Sequence, residues 1–143
     1  MKNMCLALQI SLIIGSSMSA MAAEHTKDSL EKVREMVAAK KVVLVDVREK
    51  VEWDAGHIEG AKLVPLSTLK GEMTDKKLRE LLPADKIIYL YCAGGFRCLE
   101  VAKMFEDQKL QLRALKQGYP TLLKEGFTKA TPDAEKPKTI DKP

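Results

Sequence analysis

Aromatic side chains make up only 5% of this 143-residue chain, and its Lys and Arg residues do not cluster with them. Proteins that bind single-stranded nucleic acid stack bases on aromatic rings beside basic grooves. The formal net charge is +4, and acidic and basic residues are interspersed along the sequence. The composition therefore does not favour a nucleic-acid partner.

The chain also has few residues of the types that bind transition metals, with two histidines and three cysteines. Cys92, Cys98 and His57 lack the C-x-x-C or H-x-x-x-H spacing that is typical of zinc sites. We expect no metal and no cofactor.

A long hydrophobic run is missing as well. The apolar stretch near the start covers residues 4–14, whereas a membrane-spanning helix needs about 20 apolar residues. The stretch follows Lys2 and is followed by Ala20-Met21-Ala22, which has the A-x-A pattern of a cleavage site. We interpret residues 1–22 as a secretory signal peptide that is cleaved near Ala22. The mature protein would then be secreted or periplasmic, without membrane association.

Alternating strand and helix patterns after residue 22 predict one small α/β domain over residues 23–128. Residues 42–47 and 87–91 are apolar at nearly every position, which is typical of parallel strands that helices cover on both faces. We expect a three-layer domain with a mainly parallel central sheet of four or five strands. The proline-rich residues 129–143 predict a disordered tail.

Shorter elements follow from local patterns. The first helix is expected over residues 28–39, with Asp28 and Glu31 forming a capping box. Further helices are expected over residues 50–54, 67–82, 97–108 and 121–125, and further strands over residues 63–64 and 110–115.

The segment CAGGFRC, residues 92–98, joins a predicted buried strand to a predicted helix. Cys92 is thus expected at the carboxyl edge of the sheet, where open α/β folds bind their ligands. The N–H groups and dipole of the following helix favour a thiolate there. Gly94 and Gly95 allow the loop to curl so that its N–H groups converge, and Arg97 adds a positive charge. The alternative is an inert buried cysteine, which would need none of these features.

Two segments resemble the rhodanese domain: VVLVDVREKVEWDAGHIEGAKLVPL at residues 42–66 and YLYCAGGFRCLEVAKMF at residues 89–105. Within them, D-V-R-E, then G-H-I-x-G-A-x-x-x-P, then C-x-x-x-x-R follow one another at the spacing of that family. The resemblance covers roughly residues 28–127. It implies a sulfurtransferase in which the loop cysteine takes sulfur from thiosulfate or a similar small anionic donor, holds it as a persulfide and passes it to cyanide or a thiol.

The resemblance also implies roles for the loop residues. Cys92 would be the catalytic nucleophile, and the anion-binding loop would consist of Ala93, Gly94, Gly95, Phe96 and Arg97. Rhodanese-like phosphatases have five residues between cysteine and arginine, whereas this chain has four, which favours sulfur over phosphate. Thiosulfate-using members often have a basic residue inside the loop; residues 93–96 are uncharged here, so only Arg97 would meet a sulfonate.

Other candidate residues have structural alternatives. We expect Asp46 and Arg48 to form an ion pair beneath the site rather than to contact substrate. His57 is expected to be a turn residue that bonds to the backbone, away from the loop. Trp53 is expected in the core or a pocket wall, and His25 is expected to be exposed.

Cys98 has two interpretations. It is either a resolving thiol that forms a disulfide with Cys92, or a small residue in the first turn of the helix; a disulfide would require the two Cα atoms to lie within about 7 Å. Three functions therefore stay open: sulfur transfer, thiol-disulfide exchange through both cysteines, and a binding module of the same fold without turnover. Sulfur transfer is favoured because the cysteine loop is complete.

Overall fold

The protein forms a three-layer α/β domain in a computed structural model that describes residues 23–131. Four strands make up the sheet: β1 (Val43–Asp46), β2 (Lys62–Leu63), β3 (Ile87–Tyr91) and β4 (Gln111–Ala114). Six α-helices surround it: α1 (Leu30–Ala38), α2 (Lys50–Ala55), α3 (Leu66–Lys70), α4 (Asp75–Leu81), α5 (Phe96–Met104) and α6 (Tyr119–Lys124). A short 3-10 helix, Glu106–Gln108, follows α5.

The sheet is parallel throughout and has the strand order β2-β1-β3-β4. Val45 of β1 lies opposite Leu90 of β3, and Leu90 lies opposite Ala114 of β4. The two strands predicted to be buried on both faces, residues 42–47 and 87–91, therefore lie side by side at its centre. This confirms the predicted mainly parallel sheet of four or five strands.

Alternate side chains of the central strands supply two cores, one on each face of the sheet. Val45, Ile88 and Leu90 face the cluster that also contains buried residues of α3, α4 and α5. Leu44 and Tyr89 face the other cluster, which includes residues of α1 and α6. Because both faces are covered, the two central strands, β1 and β3, are apolar at almost every position.

The predicted helix over residues 67–82 is two helices. The first, α3, ends at Lys70 before Gly71, and α4 begins after Thr74, whose hydroxyl accepts from the Lys77 N–H. The helical pattern of the polar residues continues across this break, which is why the sequence indicated one helix.

The N-terminal cap of α1 also differs from the prediction. Ser29, not Asp28, caps the helix by accepting from the Lys32 N–H. The Asp28 carboxylate instead accepts hydrogen bonds from the Tyr89 hydroxyl and the Arg113 guanidinium. Asp28 thus connects the start of α1 to β3 and β4, since it also accepts from the Lys32 ammonium group.

The domain extends beyond its predicted boundary at residue 128. Lys129 forms a β-bridge with Ile58, and the Ala130 N–H donates to the His57 carbonyl at 2.9 Å. Lys129 and Ala130 are therefore paired with residues 57 and 58 of the domain. The rest of the predicted tail, residues 132–143, and the predicted signal peptide, residues 1–22, lie outside the described residues.

No helix between residues 23 and 131 combines the length and the apolar character that crossing a membrane requires.

A buried ion pair closes the end of β1. Asp46 is 0% exposed and Arg48 is 5% exposed. The Arg48 side chain donates to both carboxylate oxygens of Asp46, the shortest bond being 2.7 Å, and also to the Gly56 carbonyl at 2.8 Å. The guanidinium lies 4.2 Å from the ring centroid of Tyr119 in α6. The pair thus connects the sheet to α2 and α6.

Replacing Arg48 with Met is expected to destabilise the domain by about 3–5 kcal/mol, because it leaves the Asp46 carboxylate buried without its partner. The matched control is Lys50→Met, which breaks the ion pair between Lys50 and Asp54, whose side chains are 70% and 55% exposed. That change is expected to cost about 0–1 kcal/mol. Urea unfolding of both variants measures the difference, and equal losses would show that the buried pair has no special role.

Candidate functional site

Cys92 directly follows β3 at the carboxyl edge of the sheet and is only 1% exposed. The Gly95 N–H donates to its Sγ at 3.0 Å. Hydrogen bonds from the backbone N–H groups of Gly94 and Cys98 also stabilise the ionised form of this sulfur. The loop therefore surrounds Sγ with N–H donors, an arrangement that binds anions.

The curvature of this loop depends on Gly95. Its φ of +89° lies in the left-handed region, and it is the N-cap residue that precedes α5. A Cβ at this position would lie 2.5 Å from the Lys116 carbonyl oxygen. Only glycine therefore fits without displacement of the backbone.

A second glycine supports the loop from the α6 side. The backbone at Gly118 packs so closely that a Cβ there would lie 1.7 Å from the Ala93 carbonyl oxygen. The next residue, Tyr119, donates its N–H to the Cys92 carbonyl at 2.8 Å. The start of α6 thus fixes the first two residues of the cysteine loop.

The pKa of Cys92 is lowered from 9.0 to about 5. The largest cause is the hydrogen bond from the Cys98 side chain, and the surrounding backbone N–H groups lower the pKa further. Burial acts in the opposite direction. Cys92 is therefore a thiolate at neutral pH, the form that acts as a nucleophile.

Cys98 lies in the first turn of α5 and is 0% exposed. Both cysteines are free, so they form no disulfide with each other. The pKa of Cys98 is raised, chiefly by its hydrogen bond to the Cys92 sulfur and by burial. Its thiol therefore stays protonated while Cys92 is ionised.

Arg97 is held by a carboxylate that the sequence analysis did not single out. Its guanidinium donates to both oxygens of Glu52 in α2, at 2.7 and 2.8 Å. This contact raises the pKa of Arg97 and lowers the pKa of Glu52 to about 2. The positive charge of Arg97, which was expected to bind a sulfonate, is thus already paired with Glu52. The loop therefore binds anions mainly through its backbone N–H groups.

The other loop residues line the mouth of the site. Ala93 and Gly94 are exposed, and the Phe96 side chain is 82% exposed. An apolar ring therefore stands beside a loop that carries no charged side chain between Cys92 and Arg97.

His25 was expected to be an exposed residue without a role in the site, but it contacts the loop. Its Nε2 lies 3.1 Å from the Gly95 carbonyl oxygen. The residue reaches this position because it forms a parallel β-bridge with Ala114, and Thr26 donates its N–H to the Ala114 carbonyl. No local sequence pattern signals this contact, since it depends on pairing with β4.

His57 is placed elsewhere. Its ring stacks on Trp53 with 3.5 Å between centroids, and its Nδ1 lies 3.1 Å from the Trp53 carbonyl oxygen. It also lines a cleft of about 890 Å³ whose wall includes Leu44 and Phe127. None of residues 92–97 lines that cleft, so it is separate from the cysteine loop.

Within the part of the chain that the structure describes, no group of three or more His, Cys, Asp or Glu side chains is placed to hold a metal ion.

Comparisons with known sequences point to one family. The sequence model for the rhodanese-like domain matches residues 29–131. A probable adenylyltransferase/sulfurtransferase of Mycobacterium tuberculosis, MoeZ, is 38% identical over 84 residues, which is 57% of this chain and 20% of that protein. A tRNA uridine(34) hydroxylase of Salmonella newport is 38% identical over 68 residues, 46% of this chain and 19% of that protein. The matched part therefore spans about a fifth of the length of these two relatives.

Solved structures show the same fold. A rhodanese-like domain protein from Staphylococcus aureus is 26% identical, with a TM-score of 0.57 over 71% of this chain and 95% of that chain. The human single-domain sulfurtransferase TSTD1 is 23% identical, with a TM-score of 0.59 over 68% of this chain and 95% of that chain.

Replacing Gly118 with Ala is expected to slow the sulfur loading of Cys92 that the family resemblance implies, with thiosulfate as donor, by about 100-fold, because the new methyl group displaces the Ala93 carbonyl and with it the loop. The matched control is Gly94→Ala, since a Cβ at Gly94 meets no atom within 4 Å and its φ is not in the left-handed region. Rapid quenching followed by intact mass measures the rate at which the sulfur adduct forms. Equal rates in both variants would contradict the proposed support of the loop by α6.

Proposed function

Because the chain belongs to the rhodanese-like domain family, we propose that it is a sulfurtransferase that carries sulfur as a persulfide on Cys92. The observation that carries this proposal is the thiolate at the carboxyl end of β3, to which the Gly95 N–H donates. A relative of this chain, MoeZ, is described as a probable sulfurtransferase, which supports the same chemistry.

In the first step the Cys92 thiolate attacks the outer sulfur of a small anionic donor such as thiosulfate. A new S–S bond forms at Sγ, and the S–S bond of the donor breaks with its electron pair going to the sulfite that leaves. No proton has to be removed from Cys92, because its pKa of about 5 leaves it ionised at neutral pH.

The terminal sulfur of the resulting persulfide carries the negative charge. The N–H groups around the loop, including those of Gly94, Gly95 and Cys98, supply donors for it without adding a side-chain charge. In the second step cyanide or a thiol attacks this outer sulfur, and the electron pair of the Cys92 S–S bond returns to Sγ as thiolate. Thiocyanate or a new persulfide is released.

The donor is expected to be small. The loop has four residues between Cys92 and Arg97, and the guanidinium of Arg97 is paired with Glu52. A phosphate bound inside the loop would need a wider ring of N–H donors, whereas thiosulfate, which is also a dianion, has to place only its outer sulfur there. Sulfur transfer fits the site better than phosphate hydrolysis.

The test is thiocyanate formation from thiosulfate and cyanide by the full chain. Cys92→Ser is expected to lower turnover by at least about 100-fold, because a hydroxyl is not ionised at neutral pH and forms no persulfide. Lys50→Met is the control, since Lys50 is exposed and contacts Asp54 rather than the loop. Turnover that persists in Cys92→Ser would contradict the proposal. So would a failure of the unmodified chain to form thiocyanate with either thiosulfate or inorganic polysulfide as the donor.

A further inference from the structure

Sulfur transfer through Cys92 does not by itself explain a second buried thiol beside it. Cys98 belongs to the same core cluster as Cys92, and the two side chains are hydrogen-bonded. A hydrogen-bond donor at this position requires only a hydroxyl, whereas a thiol is also a nucleophile. Cys98 therefore has a chemical capacity that the proposed transfer does not use.

The placement of the two thiols suits a displacement at the Cys92 sulfur. Such a reaction needs the attacking sulfur and the leaving sulfur on opposite sides of Sγ. Cys98 is 0% exposed and packs in the core, whereas Ala93 and Gly94 form the exposed side of the loop. If the outer sulfur of a Cys92 persulfide extends toward the exposed side of the loop, the Cys98 thiol can approach Sγ from the opposite, core side.

We propose that the Cys98 thiol attacks Sγ of the Cys92 persulfide and releases the outer sulfur as sulfide, leaving a disulfide between Cys92 and Cys98. This step rests on the proposed function, since it consumes the persulfide. It adds a second activity, the reduction of sulfane sulfur to sulfide.

The step balances without an outside oxidant. The bond between the Cys98 sulfur and Sγ forms, and the bond between Sγ and the outer sulfur breaks with its electron pair on the departing sulfur. The Cys98 thiol gives up its proton to water, and the departing sulfur, on the exposed side of the loop, takes a proton from water and leaves as hydrosulfide. The outer sulfur gains two electrons, and the two cysteine sulfurs lose them.

The disulfide is then returned to two thiols by two equivalents of a small thiol, or by one dithiol, through ordinary exchange. With thiosulfate as donor, a full cycle converts one thiosulfate and two thiols into sulfite, hydrosulfide and one external disulfide. Cyanide and Cys98 would compete for the same persulfide, one attacking the outer sulfur and the other the inner.

The experiment follows a single turnover in the full chain carrying Cys5→Ser, so that Cys92 and Cys98 are the two remaining cysteines. The reduced protein is loaded with thiosulfate, freed of donor and small thiols, and followed by intact mass and by a sulfide assay. The matched variant is Cys98→Ser, whose hydroxyl still donates a hydrogen bond to Cys92 but does not displace sulfur. Because decay is measured after loading, a slower loading step in the variant does not affect the comparison.

With Cys98 present, the sulfur adduct is expected to decay to a species that lacks two hydrogens, with release of about one equivalent of sulfide per chain. The rate should not depend on protein concentration. In Cys98→Ser the adduct should last at least about ten times longer, without sulfide release. Peptide mapping should find the disulfide between Cys92 and Cys98.

An adduct that is equally long-lived with and without Cys98 would overturn this inference and leave the sulfurtransferase proposal standing. If thiosulfate gives no adduct in either protein, the persulfide is generated with inorganic polysulfide and the same comparison is made. No adduct with either donor would overturn both proposals.

Discussion

The rest of the site depends on the hydrogen bonds that converge on the Cys92 sulfur. A buried thiolate is unfavourable unless donors replace its lost hydration, and here the Cys98 thiol and the N–H groups of the loop do so. The loop holds this shape because Gly95 adopts a left-handed conformation and Gly118 lets α6 approach the backbone of the loop. Sheet edge, loop and two helices together thus hold one ionised sulfur.

Charged side chains around the site are paired with each other rather than left for a ligand. Arg97 is bound by Glu52, and Arg48 is bound by the buried Asp46. The backbone therefore provides most of the attraction for an anion, which suits a single sulfur atom of low charge better than a phosphate. In the proposed second reaction, the neighbouring thiol of Cys98 determines whether the outer sulfur of the persulfide is transferred to an external acceptor or released as sulfide.

The sequence predicted the features that depend on local pattern: the parallel sheet, the strand before Cys92 and the helix after it. It also indicated the ion pair between Asp46 and Arg48. It missed contacts that arise only when distant segments meet, such as Glu52 with Arg97 and His25 with the Gly95 carbonyl. It joined α3 and α4 across Gly71 and ended the domain before Lys129, because a helical pattern can continue through a break and a single β-bridge leaves no periodicity.

The account depends most directly on the ionisation of Cys92. Titration of the thiolate by its ultraviolet absorbance, as the difference between the full chain and its Cys92→Ser variant, measures this without any choice of sulfur donor. Since the folded pKa lies below that of a free thiol, the thiolate should be fully formed at neutral pH and lost only as the pH falls through about 5. A thiolate signal that appears only above about pH 8, as for an unperturbed cysteine, would contradict the account.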